Sequence, residues 1–524
     1  MSLYKRPEQD EPIGLNDADE LSNAIDTIDS IDQLEFSDFE ESADFFEQDE
    51  FSGLPVQKRR RSGIETAILY LRIIVPIIAA VILFMYIKDK SAVLNITNLP
   101  LPILCLALTV GVIELAIPSI VKAFTGSIPA PLTSKSIASK SNAKKYFLMA
   151  AMAAIGIRVI MTVIGMLIYK HHNTWFQGSL FDLWRVSWMK GNTDAQHYLK
   201  IAEIGYVNEG NDRLLLVFFP MLPMLIRLFN FIFTDGFISA QIINTVSGSL
   251  AAGVLYLTFS HVMDGKRAFV SVMIALLLPG AIFMNSPMTE PLFMLFTACC
   301  FYYLQKENFL LAGLFAALAG FTRSLGVLLA VPIALFGICC TVRDYRTKIA
   351  ANGTKRLFTV LAALIISTLG TLMYLYINHA VSGDALRFLE YQRSNWYQGF
   401  GLFIDTPRYM MDHMLTAFRS GNISLAISLW LPGLTAVIGS LVIYIFKAKR
   451  LPATYTAFFI VYFIASVSAT WLLSAVRYLT VALPLPAAIG HGLKNGWQQA
   501  LAILVCAALS VGYITMYMYG LGVY

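Results

Sequence analysis

The chain has 524 residues, of which 57% are hydrophobic and only 14% are charged, and its mean hydropathy is +0.63. Soluble globular proteins carry roughly 25% charged residues, so this composition excludes a soluble enzyme, a nucleic-acid-binding protein and a disordered chain. It predicts an all-α integral membrane protein that crosses the bilayer many times.

The charges are distributed very unevenly along the chain. Residues 1–57 hold 17 of the 34 acidic residues and only two bases, which gives this segment a net charge of −15 and the rest of the chain +20. Such a segment cannot bury a core, so we predict a disordered acidic cytoplasmic tail over residues 1–63. A docking motif built from its scattered Phe residues is the alternative. Four consecutive bases, Lys58–Arg61, precede the first apolar run and predict a cytoplasmic N-terminus.

The apolar runs predict about thirteen spans of roughly 15–25 residues each. Two additional transmembrane helices, at about 64–87 and 100–124, lie within residues 64–145, and residues 146–524 form the core. The core begins with a helix at about 146–169, which leads to a first outer loop at 170–213. The next three spans are predicted at about 237–260, 268–285 and 287–304. Two short spans follow on either side of Thr322-Arg323-Ser324, and another lies at about 357–378. A second outer loop is predicted at 379–420, and four further helices, one of them at 478–491, complete the chain.

The apolar segment Leu214–Phe233 is long enough to cross the bilayer, but the charges that follow it argue against a crossing. The basic clusters at 261–267, 342–356 and 447–450 all become cytoplasmic only if this segment stays on the outer side. We therefore predict an interfacial or re-entrant helix that Pro220 and Pro223 break.

The first outer loop contains a short amphipathic helix beside the membrane. Asn192 or Thr193 is its predicted N-cap and Gly205 its predicted end. Its spacing places Asp194, His197 or Tyr198, Ile201 and Gly205 on one face. A lipid-surface helix with an ordinary N-terminal aspartate is the alternative interpretation.

An ordered set of motifs extends over about residues 146–490. The motifs are Asp194-x-x-His197-Tyr198-x-x-Ile201-Ala202-x-x-Gly205-Tyr206, Phe218-Phe219-Pro220-x-x-Pro223-x-x-x-Arg227, Ser286-Pro287-Met288-Thr289-Glu290-Pro291-Leu292-Phe293, Thr322-Arg323-Ser324-x-Gly326, Gly383-Asp384-x-x-x-Phe388-x-x-x-Gln392-x-x-x-Trp396 and Arg477-Tyr478-x-x-x-x-x-Pro484. Each motif is weak alone, and their order makes the set specific. Together they resemble the PIG-V-type mannosyltransferases, which belong to the GT-C class of polytopic glycosyltransferases.

The sequence also departs from the family pattern. Thr193 stands where the family has Trp before the loop aspartate, and Thr289 replaces the Ser before Glu290. The acidic tail and the first two helices are additions. These departures leave the GT-C class intact and leave the sugar and the acceptor open.

The resemblance implies a GT-C-like multi-helix bundle with juxtamembrane helices in two outer loops. It also implies transfer of a hexose, with mannose favoured, from a polyprenyl-phosphate sugar to a glycan or glycolipid acceptor on the extracytoplasmic face. Inverting transfer needs a carboxylate that accepts the proton of the attacking hydroxyl, and the resemblance assigns that role to Asp194. A helix N-terminus weakens a carboxylate as a base, but an oxocarbenium-like transition state releases its proton late, so a weak base suffices.

Arginines near the outer membrane surface are candidates to clamp the donor phosphate, because a guanidinium binds phosphate in a bidentate manner. Snorkelling to lipid headgroups is the alternative for such residues. Glu290 either orients a sugar hydroxyl or pairs with an arginine. The candidates for binding donor phosphate or substrate are Arg477, Arg323, Arg393, His197, Tyr198, Glu290, Asp384 and Gln392.

Other features of the sequence restrict the chemistry. The six cysteines lie in apolar runs and are interpreted as small buried hydrophobic residues. No metal-ligand spacing is recognised, so the sequence leaves open whether the protein uses a divalent cation. No nucleotide-binding fingerprint is present. A transporter or flippase of lipid-linked glycans is the alternative function. The absence of a retention signal favours a bacterial plasma membrane.

Overall fold

The structure, a computed structural model, describes residues 63–90, 99–125, 140–189, 193–346 and 350–524. The predicted acidic tail and the basic cluster at 58–61 lie outside these residues. Every regular element in the described ranges is a helix, and one isolated bridge joins Phe400 to Ala469.

The described ranges contain nineteen helices, numbered in chain order. They are α1 Gly63–Lys90, α2 Pro100–Thr125, α3 Lys140–His172, α4 Leu180–Trp188, α5 Ala195–Ile204, α6 Met221–Phe233, α7 Gly236–Phe259, α8 Gly265–Leu277, α9 Glu290–Gln305, α10 Phe309–Thr322, α11 Ala330–Arg346, α12 Ala350–Ser382, α13 Arg387–Asn395, α14 Asp405–Arg419, α15 Ile423–Lys447, α16 Ala453–Val467, α17 Ala475–Thr480, α18 Pro484–Gly492 and α19 Gly496–Met518. There are also three short 3₁₀ segments in the described ranges. Asn211–Val217 precedes α6, Pro279–Asn285 follows α8, and Ser324–Leu329 precedes α11.

The prediction of an all-α integral membrane protein is confirmed, but the count of about thirteen spans is not. Within the described ranges, eight helices are long and apolar enough to cross a membrane, or up to ten if each bent pair counts as one span. The predicted span at 478–491 is divided between α17 and α18, because Pro484 starts a new helix and cannot continue the preceding one. The predicted span at 268–285 bends by 71° between α8 and the 3₁₀ segment Pro279–Asn285.

The apolar segment around 214–233 is broken, as its prolines predicted. A 3₁₀ segment, Asn211–Val217, and α6 meet at an angle of 110°. Pro220 is the residue that precedes α6, and Pro223 lies in its first turn, where the missing N–H costs no hydrogen bond. This bend brings the segment back against α5 of the first outer loop.

The helices differ strongly in how far the bundle covers them. Within its most apolar window, 56% of α7 is buried, compared with 6% of α1. The largest buried side chains include Tyr256 in α7 and Phe293 in α9. The centre of the bundle therefore lies around α7 and α9, and α1 presents most of its apolar surface to the outside, as expected of a helix that faces lipid.

Candidate active site

Two acidic and two basic side chains form a charge cluster, which comprises Asp194, Glu290, Arg323 and Arg477. Arg477 donates from Nη1 to Asp194 Oδ2 over 2.6 Å and from Nε to Glu290 Oε1. Arg323 donates from Nη1 to the same oxygen of Glu290. The cluster joins the first outer loop to the ends of α9 and α10 and to α17, four parts of the chain that are distant in sequence.

The members of the charge cluster differ in access to solvent. The Glu290 side chain is 0% exposed, Arg477 6% and Arg323 7%, whereas Asp194 is 32% exposed. Buried charges are tolerated when they are paired and hydrogen-bonded, and the two acids balance the two bases here. Asp194 is thus the member of the cluster that a ligand can reach.

The N-cap of α5 is Asp194. The prediction of Thr193 as the N-cap is therefore wrong. The other predicted N-cap, Asn192, lies outside the described residues. The backbone of Asp194 is in the right-handed helical region, with φ −66° and ψ −7°, and its side chain makes no capping hydrogen bond. Capping side chains normally need an extended backbone at this position. The carboxylate is therefore free to contact Arg477 through Oδ2.

The C-terminal end of α5 is fixed by other residues of the motifs. Gly205 has φ +79° and ends the helix, as predicted. Arg227 of α6 donates to the carbonyl oxygens of Ala202 and Glu203 over 2.8 and 3.0 Å, and this contact satisfies carbonyls that a helix end leaves without partners. The bent segment after the loop thus holds the helix that presents Asp194.

Glu290 and Arg323 lie at helix ends, where the backbone directs them towards each other. Glu290 is the first residue of α9, and Arg323 ends α10 in an extended conformation, with φ −154° and ψ 148°. The chain then turns back so closely that a Cβ on Gly326 would lie 2.2 Å from the backbone carbon of Ala319. Only glycine permits this approach, which explains the Thr-Arg-x-x-Gly spacing physically.

Arg477 is positioned by close packing against the 3₁₀ segment Pro279–Asn285. A Cβ on Gly280 would lie 2.7 Å from the carbonyl oxygen of Val476 and 3.0 Å from Arg477 Cα. The Arg477 guanidinium lies over the ring of Phe283 at 5.6 Å, and that of Arg323 lies over Tyr478 at 4.8 Å. Both arginines therefore have aromatic faces as well as carboxylates around them.

The irregular backbone at 279–286 depends on polar side chains from two neighbouring helices. Arg158 of α3 donates to the carbonyl of Met284 and to the side chain of Gln241. Gln241 donates to the carbonyl of Asn285 over 2.9 Å, and Asn244 to that of Ser286 over 2.7 Å. Carbonyls that leave a helix within a membrane need such partners. Arg158 did not emerge from the motifs, although a single arginine within a predicted span is itself a signal of function.

An aromatic cluster lies beside Asp194 and brings in the second outer loop. Phe218 is stacked with His197 at 4.8 Å and makes edge contacts with Tyr198 at 5.5 Å and Trp396 at 6.0 Å between ring centroids. Burial lowers the pKa of His197 below its usual range, an effect that the neighbouring Asp194 opposes. His197 and Tyr198 therefore both lie near Asp194, where the helical spacing predicted one or the other.

The other candidates from the second outer loop lie apart from the charge cluster. Arg393 is exposed on α13 and forms no ion pair with the cluster. Asp384 accepts from the backbone N–H of Leu386 over 2.9 Å and stabilises the turn before α13. Gln392 accepts backbone N–H groups of Trp396 and Gln398 through its main-chain carbonyl. Of this loop's motif, Trp396 reaches the aromatic cluster.

The predicted burial of the cysteines is confirmed for five of the six, and Cys506 is half-buried; all six are free thiols. In the ranges that the structure describes, no three His, Cys, Asp or Glu side chains come together as a metal site would require. The two carboxylates of the charge cluster both bind Arg477.

Comparisons with known proteins agree with the mannosyltransferase resemblance of the motifs. Residues 219–372 match the family described as dolichyl-phosphate-mannose-protein mannosyltransferase. Over 187 residues, the chain is 30% identical to GPI alpha-1,6-mannosyltransferase 2 of Cricetulus griseus, a match that covers 34% of this chain and 36% of the relative. The matched part thus spans about a third of the relative's length. The resemblance to GT-C mannosyltransferases of the PIG-V type is confirmed by these matches.

Two solved structures of an archaeal oligosaccharyltransferase have low similarity to this chain. The apo oligosaccharyltransferase of Archaeoglobus fulgidus has a TM-score of 0.36 and 12% identity, over 69% of this chain and 56% of that one. The oligosaccharyltransferase AglB of the same organism, in complex with an inhibitory peptide and a dolichol-phosphate, has a TM-score of 0.34 and 13% identity, over 69% and 55% of the two chains.

Proposed function

We propose that this protein transfers a hexose, mannose in the first instance, from a polyprenyl-phosphate sugar to a glycan or glycolipid acceptor on the extracytoplasmic face of a membrane. The observation that carries the proposal is the charge cluster, in which a partly exposed carboxylate, Asp194, is anchored by a buried arginine, Arg477. The matched family and the matched relative are both named as mannosyltransferases, which supports mannose as the first sugar to test.

Asp194 is the proposed general base of an inverting transfer, and the contacts of its two carboxylate oxygens support this role. Its Oδ2 is held by Arg477, and Oδ1 accepts no hydrogen bond from the described residues, so this second oxygen is free to accept a proton. In the proposed reaction the acceptor hydroxyl attacks the anomeric carbon of the donor sugar. The bond from that carbon to the phosphate oxygen breaks, and the hydroxyl proton passes to Asp194 Oδ1.

The leaving polyprenyl phosphate gains negative charge as this bond breaks, and positive side chains near the cluster stabilise it. Arg477 uses Nε and Nη1 for the two carboxylates, so Nη2 is left for a donor phosphate. Arg323 binds Glu290 and Thr289 through Nη1 alone. We therefore assign Arg477 two tasks, the orientation of Asp194 and contact with phosphate, and Arg323 the second of these.

Glu290 is proposed to position the arginines and not to contact the sugar. Its side chain is fully buried, and its Oε1 accepts from both Arg323 and Arg477. Its second oxygen, Oε2, is buried with no hydrogen-bond partner among the described residues. Both arginines thus bind one oxygen of Glu290, each through a single nitrogen.

The test is a transfer assay with the purified full-length protein in lipid nanodiscs. Radiolabelled polyprenyl-phosphate mannose is supplied with a panel of glycan and glycolipid acceptors, and Asp194→Asn serves as the inactive control. We expect a labelled product from the wild-type protein only. A wild-type protein that forms no product, but moves a lipid-linked sugar across a proteoliposome membrane, would favour the flippase alternative and overturn the proposal.

A further inference from the structure

A pocket lined by basic side chains lies where three loops of the bundle meet. It has a volume of about 360 Å³ and is lined by Asp264, Lys266, Arg267, Arg450, Lys494 and Gln499. Lys266 and Arg267 belong to the first turn of α8, Arg450 follows α15, and Lys494 precedes α19. Four cationic groups thus face one acidic group.

The single acidic side chain neutralises one of the four bases and leaves three. Asp264 caps α8 by accepting from the backbone N–H of Arg267 over 3.0 Å, and it also pairs with the side chain of Arg267. Lys266, Arg450 and Lys494 are exposed, and none of them forms an ion pair with a carboxylate in the described ranges. The pocket therefore has a local excess of positive charge.

Two helix N-termini add to this charge. α8 and α19 both begin at the pocket, and their first backbone N–H groups carry the positive ends of the helix dipoles. Cationic side chains and helix N-termini that meet at one pocket favour binding of an anion with several oxygen atoms.

The pocket and the charge cluster lie at opposite ends of the same helices. α19 starts at the pocket and has 23 residues, so it is roughly 35 Å long, close to the roughly 30 Å hydrocarbon thickness of a bilayer. Near its far end, Tyr517 stacks on Trp188 at 5.8 Å and lies 3.4 Å from the hydroxyl of Ser286. The pocket is therefore at the headgroup level of the membrane surface remote from Asp194.

An aromatic residue at the same level indicates contact with lipid. Trp497, in the first turn of α19, is 65% exposed, and tryptophans at this depth anchor proteins in the interfacial region of a bilayer. Basic pockets between transmembrane helices on the cytoplasmic side suit the phosphate of anionic lipid headgroups. We propose that this pocket binds a phosphate group, carried by an anionic phospholipid of the leaflet opposite the charge cluster.

The test compares the binding of two phosphate sources to the full-length protein. Native mass spectrometry measures binding of phosphatidylglycerol, with phosphatidylcholine as the reference lipid, and inorganic phosphate is added in a separate arm. The pocket variant is Lys266→Ser/Arg450→Ser/Lys494→Ser. We expect it to bind phosphatidylglycerol on the order of 100-fold more weakly, because three interactions of basic side chains with an anionic headgroup are lost.

A matched variant separates the pocket from general surface charge. Lys306→Ser/Lys355→Ser/Lys449→Ser removes the same charge from three exposed lysines outside the pocket, and we expect it to keep the wild-type preference. Equal binding of phosphatidylglycerol by the two variants would overturn the proposal that the pocket binds an anionic phospholipid. If the pocket variant then loses binding of inorganic phosphate only, the ligand is a soluble phosphate ion and not a lipid. If the triple variant does not fold, Arg450→Ser replaces it as the pocket variant in the same binding measurement.

Discussion

Arg477 and Asp194 are separated by 283 residues in the chain, and Arg477 Nη1 lies 2.6 Å from Asp194 Oδ2. This ion pair connects a buried cation of α17 to a partly exposed carboxylate of the first outer loop. Because the guanidinium is planar and has five donors, it can hold one oxygen of Asp194 and still present an unused nitrogen to a phosphate. The pair therefore links the two roles that we propose for these residues.

Replacement of Arg477 should impair transfer even when positive charge is retained. Arg477→Lys keeps the charge but cannot bridge Asp194 and Glu290 as a planar fork does. We expect both Arg477→Lys and Arg477→Ala to lower kcat/KM for the donor, with the alanine variant lower. Steady-state kinetics over a range of donor concentrations measures the effect.

Arg393→Ala is the matched control for this series, because Arg393 is exposed and outside the charge cluster. We expect near wild-type kinetics for it. A larger loss from Arg393→Ala than from Arg477→Ala would move the phosphate site to the second outer loop.

Glu290→Gln should destabilise the protein, because Glu290 is fully buried between two arginines. Removing one partner from a buried ion pair typically costs about 3–5 kcal/mol, since the remaining charges are left uncompensated. A lower thermal unfolding midpoint, measured in the same detergent as the wild type, checks this expectation. Glu209→Gln, on an exposed loop, is the control. Equal thermal unfolding midpoints for the two variants would contradict the expected destabilisation by Glu290→Gln.

Arg158→Leu tests whether the irregular segment at 279–286 positions the charge cluster. The substitution removes the donor to the Met284 carbonyl and to Gln241, and each buried group left without a partner costs about 1–3 kcal/mol. We expect reduced stability together with a lower kcat, because Arg477 packs on this segment. Lys170→Leu, on the exposed end of α3, should change neither; a stable Arg158→Leu variant with normal kcat would remove Arg158 from this role.

The sequence was sufficient to predict the helical membrane fold, the bend at Pro220 and the short helix that ends at Gly205, because each follows from local composition and backbone preferences. It did not predict which helix ends would meet. The position of Arg323 beside Glu290 depends on Gly326 permitting a tight return of the chain, and that of Arg477 on the approach to Gly280. Both are contacts between distant segments, which hydropathy does not encode.

The same limit explains why the predicted N-cap was wrong and why two candidate residues lie apart from the charge cluster. Thr193 has ordinary N-cap chemistry, yet the N-cap is Asp194, whose side chain binds an arginine from α17 instead of its own helix. Arg393 and Asp384 share a loop with Trp396, and only Trp396 reaches the aromatic cluster through Phe218. At the N-cap, a tertiary contact outweighs local propensity.

The orientation in the membrane can be tested by labelling of introduced cysteines in intact cells. Glu209 lies in the predicted first outer loop, Lys449 lies in the basic cluster at 447–450 that is predicted to be cytoplasmic, and both are exposed. We expect an impermeant thiol reagent to label Glu209→Cys from outside and Lys449→Cys only after permeabilisation, because the bases near Lys449 favour the cytoplasm. Five of the six native cysteines are buried, which keeps the background low. The reverse pattern would contradict an extracytoplasmic active site.

Asp194→Asn is the sharpest test of the proposed mechanism. Asparagine keeps the size of the side chain and an oxygen that can accept from Arg477, but it cannot take up the proton of the attacking hydroxyl. Loss of a general base typically costs about 10²–10⁴-fold in rate, and we expect this loss in kcat with a smaller change in donor binding. Glu203→Gln, at an exposed residue of the same helix, should keep a rate close to that of the wild type.

Asn also removes the ion pair with Arg477. The thermal unfolding midpoint of the Asp194→Asn variant is therefore measured alongside its rate, so that the comparison with the wild type uses a folded protein. A correctly folded Asp194→Asn protein with near wild-type kcat would make the assignment wrong. Glu290 is fully buried, so the search for the base would then turn to Asp384, whose side chain is partly exposed in the second outer loop.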